Sequence, residues 1–438
     1  MLARFKSLKQ HQGFIKYLKN TSWLLAEKIL RIITGLFIGI WVARYLGPEQ
    51  FGIYSYAQSF VSLFAVIATF GLDSIVVREI LKDERKIGEI IGSSFYLKLF
   101  GAFLVLMFLA VAVNFTSNDN QTNLLVFIIA SSTIFQSFNV VDFYFQAKVK
   151  SKYIVKANII SLFISSVVKI ILILYEAPLV AFAWVVLFDS IILAIGFIYF
   201  FYRKSDFKIK KLILKQKVVI SLMKDSWPLI LSAIIVTAYM KIDIIMLKEF
   251  LGEYEVGMYS ASSRISEAWY FIPVLVTSSL FPGILNAKKI DKITYENRLR
   301  NLYKVLVWMA VVVSIVLTFI ADNLMLLLFG QEYVASADIL MIQIWSGIFI
   351  SFLMVSNKWL LAENKTRFIF IRGLFGVIIN IILNYIFIPI YGVNAAAFTS
   401  LITLIFTSLI IDVFTKDTRR HLHIKLCVFN PKLMKFEI

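Results

Sequence analysis

Ser22–Ser55 reads SWLLAEKILRIITGLFIGIWVARYLGPEQFGIYS: an apolar run of membrane length carrying Glu27, Lys28 and Arg31, a Leu46-Gly47-Pro48 turn, and Phe51-Gly52-Ile53-Tyr54-Ser55 opening a second helix. About 205 positions later the design returns in Ser226–Ser260, SWPLILSAIIVTAYMKIDIIMLKEFLGEYEVGMYS. Both copies begin Ser-Trp, and both close with Leu-Gly, four residues, then Gly-x-Tyr-Ser. A charged helix is costly to place in lipid. A chain that does so twice reads as a transporter with two related halves.

Outward from these stretches the composition agrees. Of 438 residues, 60% are hydrophobic and 16% charged, well below the quarter that soluble domains carry. At about 20 residues per span there is room for roughly a dozen helices. Apolar runs place them near 20–45, 51–77, 88–113, 123–146, 154–175, 179–202, 226–250, 256–284, 302–321, 335–361, 367–389 and 394–414. The division of 154–202 rests on Glu176-Ala177-Pro178 as a turn. The fold class expected is therefore an all-α polytopic membrane protein of about twelve transmembrane helices. Residues 1–202 form one six-helix lobe, 203–224 a basic cytoplasmic linker, and 225–438 a second six-helix lobe with a basic tail.

The Lys and Arg outside these runs fall in alternate loops: before residue 20, then within 78–86, 148–156, 203–224, 288–304 and 365–367, and after 415. The intervening loops carry only Arg44 and Lys248. This segregation places both termini in the cytoplasm, and accounts for much of the net charge of +18 without nucleic acid as a partner. The linker reads as an orientation signal and an anchor for anionic lipids. With six helices per half the repeats run parallel, related by an axis along the membrane normal. No cleavable signal is expected in MLARFKSLKQHQGF at the N-terminus.

Eight cations remain inside the spans: Lys28, Arg31, Lys98, Lys169, Lys241, Arg264, Lys358 and Arg372. Acids there include Glu27, Asp73, Asp142, Asp189, Asp243, Glu267 and Asp412. Facing lipid, the cations would cost on the order of 20 kcal/mol, more than the net stability of most folds. They must meet protein or a wet cavity. Lys358 and Arg372 are near enough to helix ends to snorkel, and Asp73, Asp142 and Asp412 to approach the interface. Glu27 and Arg31, four apart, are spaced to pair, as are Arg264 and Glu267, three apart. Lys98, Lys241 and Arg264 lie deeper, about 12–22 Å from their helix ends, and the surplus of cations points to an anionic guest.

Pro273 and Pro282 interrupt the eighth span and suit a gate or hinge, static packing being the alternative; Thr277, Ser278 and Ser279 are placed to bond the freed carbonyls. Gly35-x-x-x-Gly39 and Gly88-x-x-x-Gly92 fit close helix contacts. Trp23, Tyr54, Tyr239, Trp269 and Tyr270 read either as sugar-stacking platforms or as interface and core aromatics. His11, His421 and His423 lie outside the spans, Cys427 is alone, and neither HExxH nor a P-loop occurs. No metal or other cofactor and no ATP hydrolysis are expected; an ion gradient, the membrane potential or the cargo's own gradient must drive transport.

Ala43-Arg44-Tyr45-Leu46-Gly47-Pro48-Glu49-Gln50-Phe51-Gly52-Ile53-Tyr54, Phe70-Gly71-Leu72, Leu328-Phe329-Gly330-Gln331-Glu332-Tyr333 and Tyr391-Gly392-Val393-Asn394-Ala395-Ala396-Ala397 together resemble the Wzx-type polysaccharide-biosynthesis and O-antigen flippases of the multidrug/oligosaccharidyl-lipid/polysaccharide (MOP) exporter superfamily. The resemblance covers nearly the whole chain. It implies two six-helix bundles forming a MATE-like V around a cationic cavity. The cargo it implies is an undecaprenyl-pyrophosphate-linked oligosaccharide, an O-antigen or capsule repeat unit, turned from the cytoplasmic to the periplasmic leaflet of the inner membrane by alternating access. A polysaccharide polymerase and chain-length machinery would be its partners. The family's cavity charges fall here on Lys28, Arg31 and Arg264. The chain's own pattern adds Lys241, Lys98 and Arg372, with Glu27, Asp189, Asp243 and Glu267 as candidate ion-coupling acids. Arg offers a bidentate fork to pyrophosphate oxygens.

Two other classes stay in view. An ion-coupled multidrug or other lipid-precursor exporter of the same fold would use acidic cavity residues for cationic cargo. A multi-pass enzyme of polysaccharide assembly would need a long periplasmic loop for its catalytic groups, and the loops here are short. A passive scaffold would not justify the buried charges.

Overall fold

The structure is a computed structural model that describes residues 12–206, 212–414 and 416–429. The basic stretch before residue 12, the centre of the linker and the tail beyond residue 429 lie outside the described residues. Helices account for most of those described, with no strand among them. Eleven helices among them are long and apolar enough to cross a membrane. The first, Asn20–Lys82, is 63 residues long, far beyond one span, and Gly47 breaks it with φ 70° and ψ 169°. The break separates two arms of membrane length, so twelve crossings fit the described residues.

In chain order the helices are α1 Gln12–Thr69 with its elbow at Gly47, α2 Asp73–Lys82, α3 Ile87–Ala112, α4 Asn120–Gln136, α5 Val140–Ala147, α6 Lys152–Leu174 and α7 Leu179–Lys204. They continue with α8 Gln216–Leu251, α9 Glu253–Lys288, α10 Lys292–Phe329, α11 Ser336–Gln343, α12 Ser346–Ala362, α13 Thr366–Tyr391, α14 Val393–Ser408 and α15 Lys416–Leu426. The turn expected at Glu176-Ala177-Pro178 is present: α6 ends at Leu174, Glu176 takes a positive φ, and Pro178 precedes α7. The second span is shorter than its apolar pattern. It stops at Thr69, where Phe70 and Gly71 both take positive φ, and Asp73 starts the separate helix α2.

The chain divides into two compact units. The first holds the described residues through Val42 and Ala57–Thr237; the second holds Ala43–Tyr56 and residues from Ala238 on. In the first, α7 packs on α6 and α4, α2 on α5, and α3 on α4. Its core gathers Phe70, Leu72, Ile80, Ile90, Tyr144 and Phe201. In the second, α13 packs on α14, α10 on α12 and α9 on α10, around Leu299, Tyr303, Leu306, Phe352 and Leu360. Large apolar side chains such as Phe163, Ile195 and Phe319 are exposed. Water does not tolerate so much apolar surface on a monomer, and lipid does.

The two repeat elbows meet inside the second unit, and they do so reciprocally. A Cβ on Gly52 would strike the carbonyl of Glu253, and a Cβ on Gly257 would strike the carbonyl of Pro48. Each glycine therefore faces the repeat counterpart of the residue four positions before it. Gly47 and Gly252, with φ of 70° and 93°, make the two turns, a conformation that costs residues with a Cβ. Around this contact the Tyr333 hydroxyl donates to the Ala43 carbonyl at 2.8 Å, the Tyr333 ring meets Phe51 edge-on, and Arg44 donates to Leu327 O at 3.4 Å.

Gly88-x-x-x-Gly92 serves a different contact from the one its spacing suggests. A Cβ on Gly92 would come within 2.7 Å of the Ile213 backbone. Ile213 N donates to Gly88 O at 3.2 Å, and Lys215 N donates to Ser93 Oγ at 3.0 Å. Small residues on α3 thus receive the non-helical backbone of the linker around Ile213 rather than another helix. Gly35, by contrast, has open space where its Cβ would be.

Gly52→Ala and Gly257→Ala are each expected to destabilise the purified protein by about 1–3 kcal/mol through overpacking against backbone that has little room to yield. Gly283→Ala, where nothing lies within 4 Å, should be neutral or gain up to about 1 kcal/mol in a helix interior. Thermal unfolding in one detergent compares the three.

Candidate functional site

In the first unit the break at Phe70-Gly71 puts Asp73 in the first turn of α2, where a carboxylate is favoured by the helix dipole. Lys98 of α3 is 4% exposed. Its ammonium lies 3.6 Å from Asp73 Oδ1 and 4.7 Å from the centre of the Phe143 ring. These residues line a cavity of about 240 Å³ with Asp142, Gln136, Asn139 and Asn158. Gln146 Nε2 donates to Asp142 Oδ2 at 2.9 Å, while Asp142 Oδ1 is buried without a partner. Lys98 therefore stands between two carboxyls, and the cavity carries no surplus of positive charge.

Elsewhere in this unit, Arg31 and Glu27 pair one turn apart at 2.8 Å, with Glu27 buried and Arg31 half exposed. Lys28 is exposed on the same helix. Asp189 of α7 accepts from Ser161 Oγ at 2.6 Å and ties α7 to α6.

In the second unit Asp243 of α8 is the centre of a buried network. It accepts from Tyr259 Oη at 2.9 Å, from Asn384 Nδ2 at 2.6 Å and from Ser400 Oγ. Asn384 also accepts from Thr399 and donates to Asn380. Four helices, α8, α9, α13 and α14, thus converge on one carboxyl, and these three donors are neutral. Lys241, two residues earlier, is half-buried and makes no ion pair among the described residues. Arg264 of α9 is half-buried with its guanidinium 5.0 Å from the Phe51 ring centre. Glu267 is exposed one turn away, and no ion pair joins the two among the described residues. The spacing allowed that pair; the structure leaves it unmade.

Helix α9 runs unbroken through Pro273 and Pro282. The Thr277 hydroxyl is buried without a hydrogen bond, so it does not compensate a carbonyl as its position suggested. Tyr54 and Trp269 are buried core side chains, and Trp23 is exposed.

Arg372 does not reach an interface. It is 3% exposed and donates to Ser356 Oγ at 2.6 Å and to Asp412. Asp412 is in turn held by Lys425 Nζ at 2.7 Å, and Lys425 also donates to the Ser408 carbonyl at 2.6 Å. Lys425 belongs to α15, which the sequence assigned to a basic cytoplasmic tail. Its only sequence signal was proximity to Asp412, indistinguishable from that of its basic neighbours. Burial pulls the Lys425 ammonium down to about 8 against the attraction of Asp412, with Arg372 adding to the fall. Unfolded Lys binds its proton more tightly, so raising the pH from about 8 towards 10.5 favours the folded state at this position. His421 of the same helix stacks on Trp359 at 3.9 Å and shares a hydrogen bond with Tyr303 Oη. Burial holds it far below its usual value, and hence neutral.

Comparison with known proteins places this arrangement. The family model described as "Polysaccharide biosynthesis protein" matches residues 17–288, and the MatE model matches residues 228–386. A putative O-antigen transporter of Shigella dysenteriae is 23% identical over 374 residues, covering 85% of this chain and 92% of its own. Among solved structures, an inward-facing multidrug resistance MATE family transporter of the MOP superfamily superposes with a TM-score of 0.73 at 16% identity, over 90% of this chain and 94% of that one. The lipid II flippase MurJ in its inward closed conformation gives 0.71 at 17% identity, over 92% and 90%. At these identities the superpositions speak for the fold.

The ion triad makes an asymmetric prediction. Asp412→Asn leaves Arg372 and Lys425 buried without a counter-charge and should cost about 3–5 kcal/mol, whereas Lys425→Met keeps the Arg372–Asp412 pair and should be close to neutral. Thermal unfolding of the two purified variants reads the difference.

Proposed function

Because this chain belongs to the polysaccharide biosynthesis protein family, we propose that it is a flippase that carries a lipid-linked oligosaccharide across a bacterial inner membrane. The cargo in this reading is an undecaprenyl-pyrophosphate-linked repeat unit, moved from the cytoplasmic to the periplasmic leaflet by alternating access, with both termini cytoplasmic. The relative named an O-antigen transporter supports a glycan as cargo. A membrane enzyme is set aside, since relatives of this chain are named as a transporter and a flippase.

The observation that carries the reading is Arg264. A guanidinium half-buried in a membrane span, beside an aromatic ring and without an acidic partner among the described residues, needs an anion to complete it. A diphosphate supplies oxygens in the geometry its fork accepts. Lys241, half-buried on α8, and Lys28, exposed on α1, likewise make no ion pair among the described residues. Arg31 contributes less in this reading, because Glu27 already neutralises it. Lys98 and Arg372 are each held by acids of their own unit and are left out of the diphosphate contact.

Asp243 is the proposed coupling group. Its partners are hydroxyls and an amide, so no fixed charge balances it, and an exchangeable proton or small cation would do so during the cycle. Glu27, Asp189 and Glu267 are weaker candidates: the first is ion-paired, the second is held by Ser161, and the third is exposed. Pro273 and Pro282 are proposed as the place where α9 yields during transport. The MatE match to residues 228–386 keeps drug export as the second reading.

Arg264→Glu and Lys241→Glu should each reduce surface polysaccharide at least about tenfold at unchanged protein level, as expected for loss of a charge-assisted contact. Lipid-linked glycan should then accumulate, as read by mass spectrometry of extracted lipids, and Arg264→Lys should keep part of the export. Normal polysaccharide in both reversal variants, or a deletion strain that accumulates no glycan lipid, overturns the reading in favour of drug export.

A further inference from the structure

We propose that the polar cavity inside the first unit is a subsite for one uncharged sugar ring of the cargo, separate from the diphosphate contact. The guest is taken as a sugar because the reading above makes the cargo a glycan; the call for a hydroxyl-rich guest comes from the cavity itself. Three side-chain amides line it, Gln136, Asn139 and Asn158, and none of them makes a hydrogen bond to the described residues. Asp142 Oδ1 is buried there without a partner as well. A buried carboxyl oxygen without a partner costs free energy, and with three half-buried amides beside it that bond to no described residue, a guest with several hydroxyls completes the set.

Size and charge narrow the guest. A cavity of about 240 Å³ holds on the order of eight waters at about 30 Å³ each, and one sugar ring takes the place of such a cluster. Two carboxyls face one ammonium, Asp73 and Asp142 against Lys98, so a phosphate would meet net repulsion while a neutral ring would not. Carboxyl and ammonium side by side offer acceptor and donor to adjacent hydroxyls. Phe143 and Phe197 add apolar walls for the C–H faces of a ring. The Asp73 side chain is 71% exposed while that of Lys98 is 5% exposed, which puts the mouth at Asp73 and the floor at Lys98.

The test uses the full chain in lipid nanodiscs and saturation-transfer NMR with N-acetylglucosamine, and with N-acetylglucosamine 1-phosphate as the charged counter-probe. The neutral sugar should receive saturation from the wild type, bind at least about tenfold more weakly to Asn158→Leu and Gln136→Leu, and bind unchanged to Lys156→Gln on the exposed face of α6. Asn139→Ala, a smaller change, and unfolding midpoints for every variant separate lost binding from lost fold, and the wild-type signal stands independently of any variant. No transfer to the sugar in the wild type, equal binding in folded cavity variants, or tighter binding of the phosphate overturns the subsite. Flipping of a lipid-linked glycan by wild-type proteoliposomes is measured in parallel. Flipping without sugar in the cavity removes the subsite alone, and sugar binding without flipping removes the transport reading and leaves the subsite.

Discussion

An ionised side chain inside a bilayer must find its counterpart within the protein or in what the protein carries. The described charges in the spans sort along that line. Arg372 and Lys425 share the one carboxylate of Asp412 in a buried triad. Glu27 and Arg31 do so within one helical turn, and Lys98 does so loosely against Asp73. Asp243 meets neutral hydrogen-bond donors and no cation among the described residues, and Arg264 meets the face of an aromatic ring and no acid. The order runs from groups closed by structure to groups that a guest can still reach, and the transport reading rests on the open end of it.

The helices were legible because hydropathy acts locally: runs of spanning length punctuated by Gly, Pro and basic loops say where the chain crosses. Breaks inside the runs were harder to see: the second span ends at Thr69, before the positive φ of Phe70 and Gly71, and the runs 123–146 and 335–361 are each divided between two helices. The repeat was legible from Ser22–Ser55 and Ser226–Ser260. That the two copies would touch, glycine to carbonyl, was not, because sequence spacing carries no information about which element lies across from which.

The candidate site was legible in residue type and only partly in partnership. An i, i+4 spacing correctly foretold Glu27–Arg31, and an i, i+3 spacing suggested Arg264–Glu267, which the structure leaves unpaired. Arg372 read as a snorkelling cation because its nearest acid in space, Asp412, lies 40 positions away and its third member sits in a helix that looked like a polar tail. Gly88 and Gly92 were read as a helix contact and instead cradle the linker backbone at Ile213. The polar cavity around Lys98 was missed as a unit. Its amides come from α4, the turn after it and α6, and no single stretch shows more than an ordinary polar residue in an apolar helix.

The reciprocal elbows also bear on how such a chain arises. Gly52 faces Glu253, and Gly257 faces Pro48, so either elbow would suit a copy of itself. A half-length ancestor with one elbow would therefore have carried both faces of a symmetric dimer contact, and fusing two genes end to end would have required no new surface there. Once fused, neither elbow was free to drift alone.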